Sequence, residues 1–197
     1  MILSREFYQQ DALTVANNLL GKLLVRQING QKIKLKIVET EAYIGPEDKA
    51  CHAYQNKRTD RTETMFWAGG CAYVYLIYGL HYCLNIVTNQ SEKPEAVLIR
   101  AGEPVNGWER IRQNRAIKSN QPEDLTNGPG KLCQALEINK EFDGADLTTK
   151  DELYIINSEE QFEFTVKKDS RINIDYAGEY ADKPWRFYIA DNSFTSG

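Results

Sequence analysis

Ile33, Leu35 and Ile37 alternate with Lys34 and Lys36, a period of two that predicts a strand with one dry and one wet face. Asn29-Gly30 separates this run from the strand-like residues 23–27, so the two predict a β-hairpin whose second strand covers residues 32–44. Upstream the spacing changes. Leu13, Ala16 and Leu20 share one face of a short helix that Asp11 can cap and Gly21 can end. A second hairpin is predicted from residues 72–77 and 82–87, turning near Tyr78-Gly79, and a further strand from residues 95–101. Asn106 is placed to cap a helix reaching about residue 116, and Pro129 opens another that carries residues 131–136. After a turn at Asp143-Gly144, residues 153–156, 162–166 and 185–189 complete a strand-rich second half. Residues 46–70 form a long irregular segment, and such segments inside compact domains are usually functional or mobile. The expected fold class is α+β: a single compact domain over residues 1–197 with mostly antiparallel pairing.

Composition narrows the class without naming an activity. The chain has 197 residues, 42% hydrophobic and 26% charged, which excludes disorder, collagen and coiled coil for the whole. No apolar run approaches the ~20 residues that cross a bilayer, and Arg5, Glu6, Gln9, Gln10 and Asp11 do not resemble a secretory leader. No membrane association is expected. Cys51, Cys71, Cys83 and Cys133 lack C-x-x-C spacing and, with only two histidines, offer no compact ligand set. Reduced thiols, a cytoplasmic setting, and no metal or other cofactor are therefore expected. The net charge of -4 and pI of about 5.4 neither select nor exclude nucleic acid, because a local basic groove can coexist with an acidic back.

Four groups of residues carry candidate chemistry. If the register of Ile33, Leu35 and Ile37 continues, Glu39 and Glu41 fall on the dry face, where a partly desolvated carboxylate can act as a general base. If the register breaks at Val38, both acids point to water. In the second hairpin Tyr73, Tyr75 and Ile77 share a face, and Tyr78 falls at the turn, where Gly, Asn or Asp is usual. An aromatic there either folds back over the sheet or protrudes as a wedge able to enter a base stack. His52 is a local hydrogen-bonding residue or a ring that stacks on a planar ligand. Lys57, Arg58, Arg61 and the Gly128-Pro129-Gly130-Lys131 run are either solvated surface or contacts to phosphate, the latter a weak motif without the full P-loop pattern.

Taken together, residues 37–43 (Ile-Val-Glu-Thr-Glu-Ala-Tyr), Gly45-Pro46-Glu47-Asp48, His52, Thr59-Asp60-Arg61, Met65-Phe66, residues 73–79, Asn85-Ile86, residues 97–101, residues 128–136 and residues 184–188 resemble the methylpurine (alkyladenine, 3-methyladenine) DNA glycosylase family over nearly the whole chain. The resemblance implies a curved antiparallel sheet with a protruding β-hairpin. It also implies metal-free hydrolysis of the N-glycosidic bond of damaged purines extruded from duplex DNA, without strand cleavage, by a monomer. By position, Glu41 would activate water, which Arg100 and the backbone carbonyl of Ile172 would help hold. Tyr43, His52 and Tyr75 would enclose the extruded base, Asn85 would lie on the pocket floor, and Tyr78 would fill the gap in the duplex. Arg58, Arg61 and Lys131 would meet the DNA backbone. The chain departs from the familiar pattern in Asn173, where Gly is common, and in His81, where Tyr or Phe is common. Two other functions are compatible with parts of this pattern: a DNA-damage binder without turnover, and a soluble nucleoside hydrolase, for which a hairpin-tip Tyr78 has no use.

Overall fold

The alternating lysine-rich run lies in the long strand around which the molecule is built. A computed structural model describes residues 1–159 and 163–196. In chain order its regular elements are α1 (Arg5–Tyr8), α2 (Ala12–Leu19), β1 (Leu23–Ile28), β2 (Gln31–Ile44), β3 (Ala72–Ile77), β4 (His81–Thr88), β5 (Glu95–Asn106), α3 (Trp108–Arg115), α4 (Pro129–Ala135), β6 (Leu153–Ile156), β7 (Val166–Asp169) and β8 (Arg186–Ile189). The strands form an eight-stranded sheet along the path β3-β4-β5-β2-β1-β6, with β8 also on β2 and β7 on β8. All pairings are antiparallel. The architecture is α+β, as the pattern predicts.

Strand β2 organises the sheet. One edge follows β5 for nearly its whole length. The other edge changes partner midway, from β1 over residues 31–36 to β8 over residues 39–41. At this fork the pairing with β5 carries two irregularities. Ile37 faces Gly102 and Glu39 faces Ala101, which leaves Val38 as an extra residue. Thr40 then faces Ile99, which leaves Arg100 as an extra residue on β5. Bulges of this kind re-aim side chains and are common beside active sites. The first one moves Val38, Thr40 and Ala42 to the core side, where the Thr40 hydroxyl donates to the Ala16 carbonyl of α2 at 2.9 Å. Glu39, Glu41 and Tyr43 take the opposite face.

The register therefore does break at Val38, yet Glu39 and Glu41 are completely buried. Two later segments, residues 171–174 and 192–196, cover that face and supply partners. The main core is aliphatic. Val15, Ala16 and Leu19 of α2 and Leu132, Cys133 and Ala135 of α4 pack with Leu35, Ile37, Leu84, Ile86, Val97 and Ile99 of the sheet.

Several local expectations shift. Asp11 caps α2 by accepting from the Thr14 amide at 3.0 Å, but the buried stripe is Ala12, Val15, Ala16 and Leu19, with Leu13 half-buried. The sheet lies one residue further round the helix than the Leu13 spacing implies. Helix α3 starts after Gly107, whose φ of 84° Asn106 would adopt less easily; Asn106 instead accepts from the Gly107 amide through its side chain. The strand expected over residues 162–166 begins outside the described residues, and the pairing observed is β7, Val166–Asp169. That edge strand is held by its backbone ladder to β8 and carries lysines outward, so apolar content was a poor guide to it. Strand β5 runs to Asn106, past the expected end at residue 101.

The irregular stretch 46–70 is fastened to the sheet by a buried ion pair. Arg171 Nη1 and Nη2 donate to Asp48 Oδ2 and Oδ1 at 2.5 and 2.9 Å, and Nη1 also donates to the Ala42 carbonyl at 2.9 Å. Both side chains are fully buried. Removing one member of such a pair strands the other charge and costs about 3–5 kcal/mol. Asp48→Ala is accordingly expected to lower unfolding stability by about that amount in urea titration; a loss below about 1 kcal/mol would show that the pair does not fasten the loop.

Candidate active site

Residues directly opposite one another in neighbouring strands point to the same face. Glu41 lies opposite Leu98, Leu98 opposite Asn85, and Asn85 opposite Tyr73. One row across β2, β5, β4 and β3 thus collects the sheet's candidate residues, with Tyr43 and Tyr75 two positions along their own strands. Above the row lies a cavity of about 300 Å³, at the lower end of ordinary small-molecule pockets. Its lining includes Tyr43, His52, Tyr75, Asn85, Arg100 and Ile172, and Tyr78 stands at its rim.

Glu41 is held from three directions. Oε1 accepts the Ile172 amide N–H at 2.8 Å and lies 3.3 Å from Arg100 Nη1. Oε2 accepts the Tyr43 hydroxyl at 2.7 Å. A carboxylate offers about four lone-pair sites. Hydrogen bonds fill one on Oε1 and one on Oε2, the Arg100 charge lies beside Oε1, and the second site on Oε2 has no donor among the described residues. Burial and the neighbouring Glu41 charge push the Tyr43 hydroxyl well above its usual pKa, so it stays a donor. Its ring lies 4.7 Å beneath the Arg171 guanidinium. Arg171 thereby fixes both Tyr43 and the turn that brings the Ile172 amide to Glu41. Ile172 meets Glu41 through its N–H.

The walls are aromatic. His52 meets Tyr75 edge to face with ring centroids 4.6 Å apart, and its Nδ1 lies 2.9 Å from the Tyr73 hydroxyl. Burial, with the Arg61 charge adding to it, pulls the His52 pKa down to about 4, so the imidazole is neutral at pH 7. Arg61 stacks over the Tyr75 ring at 5.0 Å. Asn85 Nδ2 donates to the Tyr73 carbonyl at 3.2 Å, which fixes the amide in the cavity lining. Cys51 and Cys83 also line the cavity, and burial raises their thiols to about 12 and about 11.

Tyr78 is 83% exposed with a φ of 53°. For a bulky residue this left-handed backbone is unfavourable by about 1–3 kcal/mol, and it stands the side chain away from the sheet. Leu80 on the same tip is also exposed. Arg58 and Lys131 do not reach the cavity. Arg58 is tied to Glu63 and Glu92 at 2.7 and 2.9 Å, and Lys131 donates to Asn127 at 2.7 Å and faces Asp124 at 3.4 Å. Gly130 and His81 are in close contact, and a Cβ on the glycine would lie 3.0 Å from that of His81. Asn173 has a φ of 61°, the conformation Gly takes most easily and Asn next, which accounts for this departure.

No local pattern signals Tyr176, a largely exposed aromatic that lines the same cavity, or the Asp48–Arg171 pair. Among the described residues no group of three or more His, Cys, Asp or Glu side chains is arranged to hold a metal ion, and no helix is long and apolar enough to cross a membrane.

A buried carboxylate held by a tyrosine and a backbone amide, with an arginine beside it, thus adjoins an aromatic-lined cavity that has an exposed hairpin tyrosine at its edge. The sequence profile of the methylpurine-DNA glycosylase family matches residues 6–193, and the chain belongs to that family of DNA glycosylases. It is 57% identical over 196 residues to a protein of Natranaerobius thermophilus named "Putative 3-methyladenine DNA glycosylase", covering 100% of this chain and 99% of that one. Proteins with the same name from Desulfitobacterium hafniense and Clostridium botulinum are each 50% identical, over 98% and 100% of this chain and 98% and 99% of theirs.

The depressed His52 pKa has a signed consequence. An unfolded histidine binds a proton near pH 6.5, the folded one only near pH 4. Between those values the unfolded state holds more protons, so His52 makes stability fall as pH drops from about 6.5 to about 4. An NMR titration of the imidazole is expected to give a midpoint near 4 that moves upward in Arg61→Ala. A midpoint at 6.5 would mean that the ring is solvated and the slot open.

Proposed function

We propose that the protein extrudes methylated purines, 3-methyladenine among them, from duplex DNA and hydrolyses the N-glycosidic bond with a water activated by Glu41. The observation that carries this reading is the fully buried Glu41 carboxylate, held by Tyr43 and the Ile172 amide with Arg100 beside it, directly behind these three residues where they line an aromatic cavity. The bond from the base nitrogen to C1′ breaks and the purine leaves with the electron pair. The water oxygen bonds to C1′ and its proton passes to Glu41. As the sugar becomes oxocarbenium-like, the anionic carboxylate below it stabilises the developing positive charge.

Alkylation makes the purine electron-poor or cationic, so it departs without strong acid assistance. A neutral His52 suits such a base, because an imidazolium would repel it. The faces of Tyr43 and Tyr75 attract a cationic ring, each stack contributing about 1–3 kcal/mol. The Ile172 carbonyl is proposed as a second anchor for the water. Asn85 is proposed to disfavour normal guanine by crowding its exocyclic amine. Tyr78 is proposed to fill the space of the extruded nucleotide, and extrusion costs least at damaged pairs. Arg61, at the slot, is the better placed of the proposed backbone contacts. The protein is proposed to act as a cytoplasmic monomer, without strand cleavage.

The test is base release from a panel of duplexes containing 3-methyladenine, 7-methylguanine, hypoxanthine or ethenoadenine. Release of at least the methylated purines is expected, and Tyr78→Ala is expected to reduce the rate on duplex by about tenfold or more. Specific lesion binding with no release would mark a damage binder. Equal activity on free nucleosides, indifferent to Tyr78→Ala, would mark a nucleoside hydrolase.

A further inference from the structure

The family site centres on Glu41 and Arg100, but Arg100 is itself held by groups outside the cavity. Arg100 Nε donates to Ser196 Oγ at 3.0 Å. The same hydroxyl donates to Glu39 Oε2 at 2.7 Å, and the Ser196 amide donates to that oxygen at 2.6 Å. Arg186 Nη1 donates to the other oxygen, Glu39 Oε1, at 3.0 Å. Arg100 Nε lies 3.6 Å from Glu39, too far for a good hydrogen bond. The serine hydroxyl is therefore the link that turns Arg100 so that Nη1 faces Glu41.

The segment that delivers Ser196 is anchored independently of the hydroxyl. Phe194 is buried in the core beside Trp108. The Asn192 side chain accepts the Phe194 amide at 2.9 Å and donates to Glu103 at 2.9 Å. The Thr195 hydroxyl donates to the Asn192 carbonyl at 2.9 Å. Removing the Ser196 hydroxyl leaves every one of these contacts in place.

We propose that Ser196, with Glu39 behind it, is a positioning residue for the hydrolytic step: it orients Arg100, and through Arg100 the carboxylate of Glu41. This rests on the hydrolytic role proposed for Glu41. The buried Glu39 carboxylate then has a function, as the fixed anion against which Arg100 is braced, and does not compete with Glu41 as a second base.

The experiment compares Ser196→Ala, Ser196→Thr and the neighbouring exposed Ser193→Ala with wild type in single-turnover base release, lesion-duplex affinity and thermal unfolding. Ser196→Ala is expected to slow release about tenfold to a hundredfold, the effect of a misplaced catalytic group, with affinity and melting temperature little changed. Ser196→Thr, which keeps a hydroxyl, is expected to recover most of the rate, and Ser193→Ala to match wild type. An unchanged rate in Ser196→Ala overturns the proposal. So does a slower rate that tracks equal losses of affinity and melting temperature, which marks a merely structural contact. If wild type releases no base from any lesion duplex, the hydrolytic reading itself fails and this proposal falls with it.

Discussion

Burying an unpaired carboxylate is costly enough that a protein normally protonates it or surrounds it with donors. This molecule buries two, Glu39 and Glu41, two residues apart on one strand, and neither has any exposed surface. The arrangement around them follows from that constraint. Arg100 lies within 4 Å of both. Arg186 and Ser196 complete Glu39, while Tyr43 and the Ile172 amide complete Glu41. The difference between the carboxylates lies in what is left over. Glu39 is enclosed by donors from two side chains and a backbone amide, whereas Glu41 keeps a lone pair of Oε2 without a donor among the described residues and adjoins Tyr43, Arg100 and Ile172, which line the cavity.

The two bulges make that geometry possible. A regular antiparallel pair would have kept Glu39 and Glu41 on the face of Ile33, Leu35 and Ile37, against α2 and the aliphatic core. One extra residue on β2 turns them to the other face, and one extra residue on β5, Arg100 itself, restores the count and brings the guanidinium between them. The sheet forks at the same place, so β8 and its flanking segments can roof what would otherwise be solvent-facing. A second buried ion pair, Asp48 with Arg171, does similar work for the cavity wall. It fixes the loop that carries His52 and the turn that carries Ile172.

Much of this was legible in the chain. The lysine alternation and Asn29-Gly30 located β1 and β2, the tyrosine run located β3 and β4, and Pro129 opened α4 where it should. The family motifs placed Glu41, Tyr43, His52, Tyr75, Asn85, Arg100 and Ile172 in one sequence pattern, and they line or underlie one cavity. What escaped was long-range. Period-two counting has no means of registering a bulge, so neither alternative, acids buried in register or solvated out of register, describes Glu39 and Glu41, which are out of register and buried. The surface ion pairs of Arg58 with Glu63 and Glu92 and of Lys131 with Asp124 were equally invisible to a local reading. Ser196, Tyr176 and the Asp48–Arg171 pair depend on where remote segments land, which no local pattern encodes.

The account rests on Glu41 acting as a base and not only as a buried structural anion. Its most direct test is Glu41→Gln, which keeps the side chain's size and removes its capacity to take a proton. Single-turnover release of 3-methyladenine should fall by about 10²–10⁴-fold, the usual contribution of a positioned general base, while the variant still binds the lesion duplex as tightly as wild type. Release at near wild-type rate would show that the carboxylate does not activate the water, and the mechanism would have to be abandoned.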